Sequence, residues 1–187
     1  MLTLALDAAA GDATVAVLDG SRVVSAVEAN LRDRHRETLL PAVMTALNEA
    51  RVNVSDVERV VCGDGPGGFT ALRLAAATAK GIVRGTGAEL CVVPSLALIV
   101  AGAERPLAGR QYLALLDALR GECYAARVSV AADGGVTQCD DVGRMTREAA
   151  LEYAMNDQLT PIGPAEALAL RPHARGVARL AGDGSLV

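Results

Sequence analysis

Residues 6–12 read Leu6-Asp7-Ala8-Ala9-Ala10-Gly11-Asp12, and residues 116–122 read Leu116-Asp117-Ala118-Leu119-Arg120-Gly121-Glu122. A constant offset of 110 places Asp7 on Asp117, Ala8 on Ala118, Gly11 on Gly121 and Asp12 on Glu122. In each copy an apolar run ends in the aspartate, a turn carrying glycine follows, and an extended pattern resumes. Because the order of elements repeats along with the residues, the pattern predicts a duplicated unit. Two unrelated hairpins would share only their turn chemistry.

Working outward from the first copy, Leu2 to Leu6, Thr14 to Leu18 and Arg22 to Val27 read as strands, with Asp19-Gly20 as a hairpin turn. A helix is predicted from Arg34 to Arg51, with Leu39, Leu40, Val43, Met44, Leu47 and Ala50 on one stripe. Pro41 falls on its other side and predicts a mild kink. Val57 to Cys62 reads as a buried strand, Gly63-Asp64-Gly65-Pro66-Gly67-Gly68 as a glycine loop, and Phe69 to Arg84 as a second helix. Leu90 to Val93 is a strand, and Ser95 to Ala103 a short helix with Ser95 as its cap. An antiparallel start followed by strand–helix units predicts an α/β fold with a mixed sheet and helices on its faces.

The second copy begins near Pro106. Gln111 to Leu116 and Tyr124 to Val130 are extended, and Asp133-Gly134-Gly135 is a hairpin turn. Thr146 to Met155 reads as a helix capped by Thr146, and Thr160 to Pro164 as a short extended piece. Glu166 to Leu170 reads as helical, closed by Pro172, and residues 181–187 as loop. These readings divide the chain into lobes at 1–104 and 105–187, the second smaller.

The 187 residues are 51% hydrophobic and 21% charged, with a net charge of −4. That excludes a disordered chain and argues against a basic nucleic-acid grip. Phe69, Tyr112, Tyr124 and Tyr153 are the only aromatic residues, too few for a base-stacking platform. Cys62, Cys91, Cys123 and Cys139 form no Cys-x-x-Cys pair, and neither His35 nor His173 has a helical histidine neighbour, so no metal site is expected. The N-terminus lacks a signal-peptide pattern and the apolar runs are short of a membrane span, which together predict a cytoplasmic protein.

The glycine loop follows a strand and opens a helix, the place where backbone N–H groups hold anions. Gly63, Gly65 and Gly68 satisfy the Gly-x-Gly-x-x-Gly pattern, but Pro66 and the antiparallel start argue against dinucleotide binding. Gly63 and Gly68 also have the Walker spacing, with Phe69 at the lysine position. The glycines therefore read as a tight turn bringing helix and sheet together, and the chain alone as without a cofactor.

In the helix that follows, Ala71, Ala75 and Ala79 form a small-residue row, while Arg73, Lys80 and Arg84 share a different face. Two readings are open: an internal helix with a solvated basic edge, or a packing face for another subunit. Asp7 and Asp117 end equivalent strands and suit the flanks of a cleft. In sugar-kinase-like and actin-like folds such aspartates hold Mg²⁺ or a base. Here Ala8-Ala9-Ala10 offers no side-chain donors, which argues against ATP hydrolysis by this chain. No Gly-x-Ser-x-Gly elbow is present. Basic clusters at Arg32, Arg34, His35 and Arg36, and at Arg171, His173, Arg175 and Arg179, read as solvated surface, with a minor RNA contact as the other reading.

Gly65-Pro66-Gly67-Gly68-Phe69-Thr70-Ala71-Leu72-Arg73 resembles the Gly-Pro-Gly-Ser-Phe-Thr-Gly-x-Arg hallmark of the bacterial TsaB (YeaZ) family. Leu6-Asp7, Leu40-Pro41 and Leu116 to Glu122 with Tyr124 agree in order and spacing. The resemblance covers about residues 1 to 130. It implies an actin- and sugar-kinase-like (ribonuclease-H-like) fold of two duplicated lobes, the second reduced. It implies a non-catalytic scaffold that pairs with TsaD and the ATPase TsaE to place threonylcarbamoyl on N6 of adenosine 37 in tRNAs reading codons that begin with A. Contact with tRNA is expected to be indirect.

It also implies a partner surface on the first two helices, serving TsaD or a second copy. Here that surface corresponds to Leu39, Leu40, Val43, Met44, Leu47, Phe69, Leu72, Arg73, Ala75, Ala76 and Ala79. Gly68 and Ala71 depart from the motif's Ser and second Gly. Relatives carry a further segment completing the second lobe. The competing expectation is a stand-alone ATP-dependent kinase-like enzyme using Asp7 and Asp117. A protease would need a nucleophile–base pair that the sequence does not offer.

Overall fold

The computed structural model describes residues 1–31, 38–167 and 169–180. Two mixed sheets lie side by side. The first is built from β1 (Leu2–Asp7), β2 (Asp12–Asp19), β3 (Arg22–Asn30), β4 (Arg59–Gly63) and β5 (Glu89–Val93), in the order β3-β2-β1-β4-β5. The second contains β6 (Gln111–Leu119), β7 (Glu122–Val130), β8 (Val136–Thr146) and β9 (Thr160–Ile162), in the order β8-β7-β6-β9. In each, the first strand pairs antiparallel with the second and parallel with the fourth. The two sheets thus repeat one topology, and the aspartates at 7 and 117 end the equivalent strands. This is the duplicated two-lobe α/β architecture, with the second sheet one strand smaller.

β1 and β2 are near-continuous apolar runs because both of their faces are covered. One face carries α1 (Leu39–Ala50) and α2 (Phe69–Thr86). The other carries α3 (Ser95–Ala101) and a 3₁₀ segment at Ala174–Arg179. All seven residues of α3 are buried, because it sits between the two sheets and has no solvent face.

α1 begins at Leu39 rather than Arg34; residues 32–37, with their basic cluster, lie outside the described residues. Pro41 therefore falls in the first turn. Its missing N–H would have had no helical partner there, so no kink is required. Arg51 closes α1 in the left-handed region (φ 57°), its N–H reaching the Asn48 and Leu47 carbonyls. Gly87 does the same for α2 (φ 78°), bonding the Val83 carbonyl.

The second lobe is fuller than its sequence suggested. β8 runs for eleven residues, through a stretch whose polar side chains at Thr137, Gln138, Asp140 and Asp141 face solvent along the sheet's outer edge. α4 (Arg147–Asn156) starts where expected, with Thr146 Oγ1 accepting from the Ala149 N–H at 3.2 Å. Among the described residues of 166–170 no helix forms. Residues 163–167 are turn and bend, and Leu168 lies outside the described residues. A segment this short between Pro164 and Pro172 cannot recover the cost of nucleating a helix. Residues 181–187 also lie outside the description.

Residues 171–180 return to the first lobe. Arg171 pairs with Asp12, the Ala174 N–H donates to Thr14 Oγ1 at 2.9 Å, and the His173 N–H donates to the Leu98 carbonyl at 3.3 Å. Arg179 donates to the carbonyls of Ala101, Ala103 and Glu104 at the end of α3. Leu180 bridges to Val136 at the start of β8. The second basic cluster is therefore engaged within the chain, although Arg171 keeps an exposed side chain. Its arginines and His173 tie residues 171–179 to the first lobe, and Leu180 reaches the second.

Candidate functional site

β1 ends in Asp7, and its carboxylate is closed off. Asp7 is 1% exposed. Its Oδ1 accepts from the Ala9 N–H at 3.0 Å, and its Oδ2 from the Ser95 hydroxyl at 2.5 Å. Ser95 Oγ in turn accepts from the Gly65 N–H at 3.1 Å. Pro94, not Ser95, is the cap of α3. Ser95 links β1, the glycine loop and α3, a role that no local sequence signal announces. Burial raises the Asp7 carboxyl to about 6, the two hydrogen bonds oppose this, and Asp64 adds to it.

The glycine loop packs on this point. A side chain at Gly63 would overlap Asp7 Oδ2, and one at Gly67 would overlap the Ala9 carbonyl. The Gly65–Pro66 bond is cis. The loop's amides are drawn inward: Asp64 N–H donates to the Val93 carbonyl, Gly65 N–H to Ser95 Oγ and Gly68 N–H to the Ala9 carbonyl. An anion cradle needs such donors free. The loop is a close helix–sheet junction, as its glycines suggested.

Asp117 occupies the equivalent place in the second lobe and makes the equivalent bond, its Oδ1 accepting from Leu119 N–H at 2.9 Å. Unlike Asp7 it is exposed, and it lines an interlobe cleft of about 670 Å³ with Gly68, Phe69, Leu119, Arg147 and Glu166. Arg147 is engaged within the chain, by Glu166 at 2.9 Å and the Ala165 carbonyl at 2.8 Å. The structure therefore puts the two aspartates in different surroundings: one sealed, one open to the cleft. Among the described residues no three His, Cys, Asp or Glu side chains cluster as metal ligands.

The eleven residues expected to form one partner surface divide three ways. Leu39, Val43, Leu47, Ala75 and Ala79 are buried in the first lobe's own core and present nothing to a partner. The alanine row lets α2 lie close on the sheet rather than on another subunit. Leu40 and Met44 are half-exposed on α1. Leu40 faces the Thr78, Gly81 and Gly85 flank of α2 across a groove of about 470 Å³. Phe69, Leu72, Arg73 and Ala76 lie on the opposite flank of α2, beside β5. The sequence stripes missed Gly81, Gly85 and Val54 because small and turn residues carry no hydrophobic period.

A family model described as "TsaD: tRNA N6-adenosine threonylcarbamoyltransferase" matches residues 24–171. The "tRNA threonylcarbamoyladenosine biosynthesis protein TsaB" of Escherichia coli (strain K12) is 31% identical over 126 residues, covering 67% of this chain and 54% of that protein. The protein of the same name from Bacillus subtilis (strain 168) is 27% identical over 128 residues, covering 66% and 53%. The chain thus spans about half the length of the curated relatives it matches. The fold is that of YeaZ from Pseudomonas aeruginosa, with a TM-score of 0.71 at 24% identity over 94% of this chain and 88% of that one. No helix among the described residues is long and apolar enough to cross a membrane. With a matching family model over most of its length, the TsaB hallmark at Gly65–Arg73 and the repeated Asp7 and Asp117 turns, the chain belongs to the TsaD-type threonylcarbamoyltransferase family, on its TsaB (YeaZ) branch.

Proposed function

We propose that the chain is a non-catalytic scaffold subunit in tRNA threonylcarbamoyladenosine biosynthesis. In this reading it supports transfer of threonylcarbamoyl to N6 of adenosine 37 in tRNAs whose codons begin with A. It pairs with TsaD, works with the ATPase TsaE, meets tRNA only indirectly, and acts in the cytoplasm without a cofactor of its own. The observation that carries the reading is the sealing of Asp7 by Ser95, Ala9 and Gly63. A carboxylate with both oxygens bonded and almost no exposed surface is placed to hold a fold together rather than to take a substrate proton or a metal ion.

The pairing face in this reading is the groove of α1 and α2 lined by Leu40, Gly81 and Gly85, with exposed Met44 one turn further along α1. Small residues there allow a helix of a partner, or of a second copy, to approach closely. Light scattering on a sizing column tests it, with the chain alone and then mixed with the TsaD protein of its own source. A one-to-one complex that replaces any homodimer supports the reading. A well-folded chain that forms no such complex counts against it.

The kinase-like alternative uses Asp7 and Asp117, of which only Asp117 is open to the cleft. It requires ATP turnover by the isolated chain, abolished in Asp117→Asn. Absence of turnover removes it.

A further inference from the structure

β5 is an outer strand of the first sheet. It pairs with β4 alone, and its other edge carries no ladder among the described residues. Free edges invite a further strand, and proteins usually blunt them. This one is not blunted by its side chains. Leu90 and Val92 are 38% and 39% exposed, although they stand in register with Val60 and Cys62, which are core residues on the same face. α1 covers that face over β2 and β3, and α2 lies mainly over β4 and only grazes β5, so Leu90 and Val92 keep part of their surface open. The result is a groove of about 540 Å³ between β5 and the flank of α2, walled by Leu72, Ala76, Leu90 and Val92.

The groove is cationic along its helical side. Arg73 and Lys80 line it, and Arg84 continues the row. None of the three is in an ion pair among the described residues. Arg73 lies over the ring of Phe69 at 5.1 Å, and Phe69, 72% exposed, stands at the mouth. Of the nearby acids, Glu89 is taken by Arg59 at 2.8 Å, and Asp64 sits at the β4 end of the groove with its carboxyl raised by burial.

We propose that this groove takes an extended, acidic segment of a partner protein, which adds a strand to β5 and sets its carboxylates against Arg73 and Lys80. Main-chain bonding supplies the general affinity and the pockets supply selectivity. Arg73 and Lys80 are seven residues apart, about 10 Å along the helix axis, which is the length of three to four strand residues. Acidic residues four apart with a small apolar residue between them therefore fit the face turned to the groove. A second copy fits poorly, since a two-fold β5–β5 pairing would bring like-charged helix rows together. An RNA strand would meet a largely apolar wall with two rings, Phe69 and Tyr124, too few for a run of stacked bases. The site lies on the flank of α2 opposite the proposed pairing groove and does not depend on that reading.

The test is an amide NMR titration of the whole chain with three probes. These are an acetylated, amidated Glu-Thr-Val-Thr-Glu peptide, its Lys-Thr-Val-Thr-Lys counterpart and a uridine hexanucleotide. The acidic peptide is expected to shift the amides of residues 89–93 at millimolar concentration. The double variant Arg73→Glu, Lys80→Glu, with both changes at exposed sites, is expected to weaken it at least tenfold. Val92→Asp should weaken it similarly, with the melting profile serving as the check on folding. The proposal is overturned if the β5 amides do not move, if the lysine peptide binds equally well, or if the hexanucleotide takes the site. It is also overturned if the free chain dimerises through β5.

Discussion

Ser95 Oγ donates to Asp7 Oδ2 across 2.5 Å, joining side chains 88 positions apart in the chain. Both residues are almost wholly buried. The bond ties the end of β1 to the start of α3 and, through Gly65, to the glycine loop. Ser95→Ala leaves a buried carboxylate with one partner fewer, and is expected to cost about 1–3 kcal/mol. Urea unfolding reads this directly, and an unchanged midpoint would remove Ser95 from the structural centre described above.

Asp7 also sets a pH signature. Its folded-state value, about 6, lies above the ordinary 3.8. The native chain therefore holds this proton more tightly than the unfolded chain. The associated stability is complete below about pH 4 and is lost as pH rises through 6, by on the order of 3 kcal/mol. Asp7→Asn is expected to abolish that fall in a stability profile measured between pH 4 and 7.

His173 acts with the opposite sign. Burial, then the neighbouring Arg175, lowers it from 6.5 to about 4. Its Nδ1 accepts from the Arg175 N–H at 3.1 Å, which requires that nitrogen to be unprotonated. Its stabilisation is complete above pH 6.5 and is lost as pH falls toward 4. Hydrogen-exchange protection of the Ala174 amide, which bonds Thr14, is expected to drop over that window and to lose this dependence in His173→Gln. Constant protection in the wild type would contradict the assignment.

The burial pattern separates folding residues from surface residues on the same helices. Ala75→Arg forces a charge into the first lobe's core and is expected to cost several kcal/mol or to prevent folding. Leu40→Asp and Met44→Asp sit on exposed positions and are expected to move stability by less than about 0.5–1 kcal/mol while abolishing the proposed TsaD pairing. Circular dichroism melts alongside sizing-column measurements distinguish the two classes.

The glycines of the loop are not equivalent. Gly63→Ala and Gly67→Ala drive a side chain into Asp7 and into the Ala9 carbonyl, and should be severely destabilising. Gly68 has room, with only Ala71 Cβ at 4.0 Å, and is the N-cap of α2. Gly68→Ser restores the family's motif residue and is expected to add a few tenths of a kcal/mol through capping. Loss of stability in Gly68→Ser would refute the capping geometry.

Much of this protein was determined by its sequence alone. The Asp7 and Asp117 turns, the first five strands along the chain and the Thr146 cap are legible because turn chemistry, strand period and capping act over a few neighbouring residues. Only the tertiary structure decided which side of α2 is buried. Alanine rows and basic rows are compatible with either orientation until the sheet is present. It also decided that Ser95 holds Asp7, that β5 keeps an open edge, and that residues 171–180 strap both lobes. Those contacts join residues 44 to 160 positions apart. At that separation the partner is chosen by which surfaces the fold brings together and removes from water, and neither neighbouring chain carries a local trace of the choice.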